Sequence, residues 1–396
     1  MMQLYSNQEE CCGCTACISI CPNDVIVMHR DEKGFDYPQI INTQDCIECG
    51  LCLEVCPHKQ QVINKEPNIK MVYGLQHMSK DVLKSSSSGG AFTAISDVVL
   101  SRGGVVFGAI MDHNFDVFHQ MAQDAPGRDR MRGSKYVQSE MRNTYKTVKE
   151  ELIRGTEVLF IGTPCQVAGL NSFLDSDYPN LYTVDFLCHG TPSTLLLKDH
   201  IAHLEKRFKK KATSYFFRDK KYGWGHDETI GFSDGSYESS LPVSSLKDIF
   251  NLNLNLRSSC YKCKYASPNR ESDLTIADFW GAERILKKYD NKGTSLVLVN
   301  SDKGESIFNL AKKYCEVIKT DLSNIKQSTL WGTTSKVRED LSVSDFWNLY
   351  HSRGYEAIVA KYCKKTFRQI VMHHGRRLVS ILHLEKIVYR IKTSLS

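Results

Sequence analysis

Cys11, Cys14, Cys17 and Cys21 make C-x2-C-x2-C-x3-C followed by Pro22, and Cys46, Cys49, Cys52 and Cys56 repeat that spacing before Pro57. A cubane iron-sulfur cluster needs four thiolates converging on a small site. The tight C-x2-C-x2-C turn supplies three from one loop, so the fourth comes from elsewhere. Where the motif occurs twice, the last cysteine of each run ligates the other cluster. That predicts one 4Fe-4S cluster on Cys11, Cys14, Cys17 and Cys56 and another on Cys46, Cys49, Cys52 and Cys21. The crossing ties both runs into one compact unit. A pair of zinc sites is the competing reading, but zinc usually takes two paired half-sites and has no use for the x3-C-P step. Cys12 falls outside the repeat and reads as a spare thiol in a turn.

Nine of the fifteen cysteines lie in the first 56 of 396 residues. Such crowding points to metal or redox sites in a reducing compartment, against a disulfide framework. The opening MMQLYSNQEE lacks a basic and then apolar leader, and no run has the length of a membrane span, which predicts a soluble cytoplasmic protein. Net charge is +6, with +8 from Lys361 onward and about −2 before it. No zinc-finger, helix-turn-helix or RNA-binding signature accompanies the basic tail, so nucleic acid is not an expected partner.

The length allows two to three domains. Residues 1–64 form the two-cluster ferredoxin domain, with VIVMHRDEKGFDYPQI reading as two short strands around a turn at Asp31 to Gly34. Residues 65–80 read as a polar linker, 81–335 as a larger mixed α/β domain carrying flavin and iron-sulfur sites, and 336–396 as a basic helical C-terminal region. The fold class is α+β overall.

In the larger domain, Ser85 to Gly90 precede a helical pattern, AFTAISDVVLSRG, so a flexible stretch or an anion site at a helix start are both open. VVFGAIMD and DVFHQMAQ form an antiparallel pair, and a charged helix runs from about Glu140 to Arg154. EVLFIGTPCQVAGL is a buried strand that passes into a helix. LYTVDFLCHGTPS repeats the plan, with Thr191 as helix cap and Pro192 at the first helical position. Successive strand-turn-helix units predict parallel neighbours, whose ligands gather beyond the strands' carboxyl ends, where Cys165 and Cys188 fall. Cys260 and Cys263 are half of a metal site that needs two more thiolates. With Cys165 and Cys188 they make a third 4Fe-4S cluster, a zinc site, or buried cysteines of no function. Cys165 at a helix start is also open to reading as a catalytic thiol. Cys315 and Cys363 read as packing residues. Arg218, Lys220 and Lys221 form either a solvated face or a site for phosphate or carboxylate. His189 reads as a donor to substrate or flavin, or as a structural histidine.

From about Ser86 to Asn300 the chain resembles the coenzyme F420 hydrogenase/dehydrogenase beta-subunit family. The resemblance rests on SSSGGAF, GSKYVQS, VLFIGTPCQVAGL, VDFLCHGTPS, FRDKKYGW, CYKC, SDLTIADFWG and DNKGTSLVLVN, in the family's order. It implies an iron-sulfur flavoprotein with FAD and a cluster close to it. By motif, Ser87, Ser88, Gly89, Gly90, Ser134, Lys135 and Tyr136 are candidates around FAD, with Gly162 and Thr163 nearby. His189 and Lys135 are the candidate catalytic residues. The family includes reductases of several substrates, so the resemblance implies a small substrate or a deazaflavin such as coenzyme F420 without choosing between them. No G-x-G-x-x-G fingerprint supports a nicotinamide site.

Residues 366–396 read as a basic amphipathic helix, interrupted near Gly375, with Phe367, Ile370, Val371, Leu378, Ile381, Leu382, Val388, Ile391 and Leu395 near helical spacing. Arg368, Arg376, Arg377, Lys386, Arg390 and Lys392 lie between them. Packing against the body or a partner is the expected use, and peripheral membrane contact the alternative. The expected function is electron exchange between ferredoxin-type clusters and FAD, with a redox partner protein or ferredoxin at one end and a small molecule or F420-like cofactor at the other. The alternative is an electron-transfer subunit without a substrate of its own, docked on a redox protein.

Overall fold

The computed structural model describes residues 3–59, 67–225, 227–283, 291–333, 335–382, 384, 387 and 388. In the N-terminal region each cysteine loop runs into a short helix, α1 (Ala16–Ile20) and α2 (Leu51–Glu54). Each helix is entered through a left-handed residue, Thr15 and Gly50 respectively. Between them β1 (Ile26–Arg30) and β2 (Asp36–Ile40) pair antiparallel, with Ile26 opposite Ile40. Asp31 Oδ1 closes their turn by accepting from the Lys33 and Phe35 amides at 3.0 and 2.8 Å.

The large region then runs through β3 (Met71–His77), α3 (Lys80–Ser85), α4 (Ala91–Ser101), β4 (Val105–Met111), β5 (Val117–Ala122), α5 (Ala125–Asp129) and α6 (Thr144–Ile153). It continues with β6 (Val158–Ile161), α7 (Pro164–Leu174), β7 (Leu181–Phe186), α8 (Thr194–Phe208), β8 (Ala212–Asp219), β9 (Asp227–Phe232), β10 (Tyr237–Glu238) and α9 (Ser245–Asn251). The last elements are β11 (Leu274–Asp278), β12 (Ser295–Val299), α10 (Asp302–Ala311), β13 (Cys315–Thr320), α11 (Val343–Tyr362) and α12 (Phe367–Ile381).

The main sheet has the order β13-β3-β12-β11-β7-β6-β4-β5. Strands β4, β6, β7 and β11 run parallel, while β12 opposes both β11 and β3, so β3 points the same way as the four. Period-two alternation decides which residues face which layer. Leu159 of β6 and Val106 of β4 pack with Ile95, Val98 and Val99 of α4 and Phe308 of α10. Phe160 and Phe107, one position on, pack with Tyr145 of α6 and Leu170 and Phe173 of α7. Each fully buried side chain of this kind contributes roughly 1.5–3 kcal/mol. A smaller antiparallel sheet, β10-β9-β8, packs with α8, α9 and α11 in a further core.

The N-terminal region shares two of these cores, through Phe35 and Tyr37 in the one and Cys14 and Ala16 in the other. Its seat on α7 requires a glycine, because a Cβ on Gly169 would lie 2.8 Å from Cys14 Cβ.

Three readings of the sequence change. The stretch 65–80 contains β3, an interior strand, because MVYGLQH finds partners in β12 and β13 more than 200 residues away. The helix after Cys188 starts at Thr194 with Ser193 as its cap. Thr191 instead accepts from the Arg257 amide at 2.9 Å and Pro192 bridges Leu256, which holds both extended. Helix α12 is continuous through Gly375, since one glycine costs only about 1 kcal/mol of helix propensity. The tail residues Lys386, Arg390, Ile391, Lys392 and Leu395 lie outside the described residues. No described helix is long and apolar enough to cross a membrane.

Candidate iron-sulfur and flavin site

Two cavities open in the N-terminal region. One is lined by Cys21, Cys46, Cys49 and Cys52, together with Ile47 and Leu51. The other is lined by Cys11, Cys14, Cys17 and Cys56, with Cys12 and Cys52 also on its wall. The fold thus draws the last cysteine of each run toward the other run's loop. Burial pushes the Cys11 and Cys17 thiols up, with neighbouring cysteines adding to the effect, so a bare thiolate is disfavoured and a positively charged cluster core would supply the compensating charge.

Cys165, Cys188, Cys260 and Cys263 come together at the carboxyl ends of β6 and β7. The Cys188 thiol is raised by burial and then by Cys260, Cys165 and Cys263, which places all four in one electrostatic neighbourhood. The Thr191 amide donates to Cys260 Sγ at 3.3 Å, and Thr163 Oγ1 lies 3.1 Å from Cys165 Sγ. Among the described residues no three His, Cys, Asp or Glu side chains are grouped tightly enough to hold a single metal ion. Cubane ligands differ in that each binds its own iron. The helix-start position does not activate Cys165 as a nucleophile: a hydrogen bond with Cys12, followed by burial, holds its thiol well above the ordinary range.

Cys12 is more than a turn residue, for its thiol hydrogen-bonds both Cys14 and Cys165, one from each domain. Tyr265 lies beside these three cysteines, and its buried hydroxyl has no hydrogen-bond partner in the protein. Cluster sulfurs accept such donors, so the orphaned hydroxyl fits a cluster here. Arg257, fully buried, closes the junction. Its guanidinium donates to Cys11 O (2.8 Å), Gln138 Oε1 (2.8 Å) and Asp36 O (2.9 Å), reaches Cys11 Sγ at 3.7 Å, and lies 4.1 Å from the Tyr37 ring centroid. Arg270 plays a parallel part behind the third group of thiols. It pairs with Asp185 at 2.8 Å, both fully buried, and donates to Tyr265 O and Ser267 O at 3.0 and 3.1 Å.

Four sequence segments meet on Arg218, a side chain only 2 % exposed. It forks onto Asp278 at 2.5 and 3.1 Å, donates to Ser87 O at 3.2 Å and reaches the Tyr136 hydroxyl at 3.5 Å. Trp224 Nε1 donates to the same Asp278 at 3.1 Å, and its ring stacks on Trp280 at 4.3 Å. The basic loop is therefore not a solvated face. Lys220 is likewise directed inward, donating to Leu83 O at 2.7 Å and Ser88 O at 2.5 Å.

Ser87 Oγ accepts from the Ser134 amide at 2.8 Å, so the two candidate flavin loops are joined. Ser88 Oγ donates to Thr294 O (2.8 Å) and the Gly89 amide to Ser295 Oγ (2.9 Å), which lays the loop flat on β12. Gly90 is left-handed and opens α4, whose N-terminus has no side-chain cap. Beside it, Ser86 Oγ and His77 Nε2 are buried and without partners. Free helix amides with two orphaned polar atoms fit the phosphate or ring edge of a nucleotide cofactor. Gly162 and Thr163 open α7, where Gln166 Oε1 accepts from the Thr163 amide at 2.9 Å.

Lys135 Nζ donates to Met131 O and Gly133 O at 2.8 and 3.2 Å; burial pulls its amine down to about 7, while these carbonyls solvate the charged form. His189 Nε2 lies 2.6 Å from Asn253 Oδ1, with its ring against Phe250. Cys315 and Cys363 pack against separate cores away from these sites. Sequence reasoning passed over Cys12, His77, Arg257 and Tyr265, which lie outside any recognisable spacing. Only the position of Arg257, just ahead of Cys260, offered a hint.

Doubled cysteine loops joined to a mixed sheet with further thiols at its carboxyl edge define an iron-sulfur electron-transfer protein. Residues 10–60 match the 4Fe-4S dicluster domain, which accounts for two clusters. Through residues 155–323 the chain belongs to the family formed by the C terminus of the coenzyme F420 hydrogenase/dehydrogenase beta subunit, an oxidoreductase family. A chain of the xenon-derivatised F420-reducing [NiFe] hydrogenase complex from Methanosarcina barkeri is similar at 16 % identity and a TM-score of 0.44, covering 74 % of this chain and 92 % of that one. No curated protein matches.

Proposed function

We propose that this chain is a flavin-dependent iron-sulfur oxidoreductase in which FAD and a third 4Fe-4S cluster share the carboxyl edge of the main sheet. The observation that carries the reading is the meeting of Cys165, Cys188, Cys260 and Cys263 next to Cys12 and Cys14 of the dicluster domain. Electrons leaving the cluster on Cys11, Cys14, Cys17 and Cys56 then have a second acceptor across a packed, water-poor junction. FAD, when bound, supplies the conversion between one- and two-electron transfer.

The chain's own residues bind and orient. Ser87 and Ser134 fix the flavin loops to each other, Arg218 and Asp278 lock those loops to the sheet, and Ser86 and His77 offer unspent polar atoms. His189 and Lys135 border the site as proton-handling candidates. The substrate class is a small molecule or a deazaflavin such as coenzyme F420, in keeping with the family.

Anaerobic purification followed by iron, sulfide and flavin quantitation tests the proposal. About twelve irons and one FAD per chain are expected, at four irons per cubane. About eight irons without flavin would overturn it.

A further inference from the structure

The two clusters of the dicluster domain are not equivalent in access. The cavity of Cys11, Cys14, Cys17 and Cys56 is walled by the larger domain: Cys14 is buried against Gly169, and Arg257 covers Cys11. The other cavity faces outward. Cys49 is the one exposed cysteine of the chain, and a Cβ on Gly50 would meet nothing within 4 Å.

Around that outer cavity the surface has a definite character. Ile47 lines it and is 65 % exposed, Leu51 lines it at 38 %, and Ile41 beside them is 65 % exposed. Asp45, Glu48 and Glu54 are exposed among these residues, and none of the three forms an ion pair with a described residue. An apolar centre over a redox centre, ringed by unspent negative charge, is the complement of one kind of partner.

We propose that this face is the docking port for a small one-electron carrier protein whose exposed redox edge is apolar and ringed by Lys or Arg. The charge sign selects such a carrier, because acidic rims steer basic partners and raise their association rate. The small patch suits a transient contact, as redox encounters sit at the low end of interface size. In the exchange one electron leaves the reduced carrier and enters the outer cluster, with no bond made and no proton moved; the reverse transfer uses the same contact. The inner cluster then relays to the larger domain. The proposal rests on the dicluster domain and not on the flavin, so it stands or falls separately from the flavin content.

The test uses the reduced holoprotein, freed of reductant, in stopped-flow reaction with oxidised cytochrome c as a basic-rimmed probe and with a neutral quinone as control. Cytochrome c reduction is expected to slow about tenfold from low to high salt and about tenfold in Glu48→Lys/Glu54→Lys at low salt, with quinone reduction unchanged. Ile47→Ser is expected to slow cytochrome c at every salt concentration. A wild-type rate in the charge-reversed protein overturns the proposal. Equal losses with both acceptors do so too, since the charges would then act on the cluster itself. So does a solution dimer that Ile47→Ser dissociates, because a second copy would then own the face.

Discussion

Replacing Arg257 by alanine should loosen the seat of the dicluster domain before it unfolds anything else. The guanidinium supplies hydrogen bonds to Cys11 O, Asp36 O and Gln138 Oε1, all at 2.8–2.9 Å and all buried. Each acceptor stranded without water costs about 1–3 kcal/mol. Loss of the cation's contact with the Tyr37 ring at 4.1 Å adds about 2 kcal/mol for a desolvated pair. Partial relaxation keeps the terms from adding fully, so roughly 4–6 kcal/mol of docking stability should be lost. Hydrogen exchange read on peptides from residues 11–40, against peptides from β6 and β12, should show opening in the first set only. Arg257→Lys should recover a fraction, because an ammonium cannot satisfy three divergent acceptors at once. The same loss of charge near Cys11 Sγ should lower the reduction potential of the inner cluster. Exchange that rises equally in both peptide sets would refute the reasoning, since Arg257 would then be an ordinary core residue.

Burial pushes the Glu228 carboxyl up to about 8 from an ordinary 4.5, so the folded chain holds a proton that the unfolded chain releases. The stabilisation is complete below about pH 4.5 and is lost as pH rises through 8, on the order of 4 kcal/mol in all; Glu228→Gln should flatten that slope in melting curves, and an unchanged slope would count against it. Arg270→Met strands the buried carboxylate of Asp185 and should cost about 3–5 kcal/mol, read by denaturant titration, whereas a neutral outcome would mean that Asp185 is protonated in the native state. Cys188→Ser should lower iron content by about four per chain while sparing the two-cluster absorption, and full retention would remove Cys188 from the ligand set. A Cβ on Gly89 would fall 2.1 Å from Leu75 O, so Gly89→Ala should cost about 1–3 kcal/mol in melting and release flavin. Unaltered melting would disprove that close approach.

The cysteine runs were legible because a cluster-binding loop is local: three ligands and their turn lie within seven residues, Cys11 to Cys17. The parallel strands β6 and β7 were legible for the same reason, each an apolar run ending at a small-residue turn. Strand β3 was not. Its burial depends on β12 and β13, and nothing within MVYGLQH announces those partners. The false helix start at Thr191 has a similar origin, since Thr-Pro is a good local start signal that loses to hydrogen bonds from the Arg257 and Cys260 loop. Cys12 and Arg257 take their meaning only from docking of the two domains, which no spacing within either one encodes. The basic loop misled in the opposite direction: Arg218 and Lys220 read as surface charge, yet their partners Asp278 and the Ser88 carbonyl come from segments 60 and 132 residues away.

Helix α7 carries Cys165 in its first turn and Gly169 one turn later, and Gly169 is where Cys14 rests. One rigid rod therefore spans from the edge of the inner cluster to the edge of the third thiol group. Its rise per residue sets the gap an electron must cross, independently of how much chain joins residue 59 to residue 67. Lengthening that connection should leave transfer between the domains unaltered, while one residue inserted between Cys165 and Gly169 would rotate the two contacts about 100° apart and break the circuit.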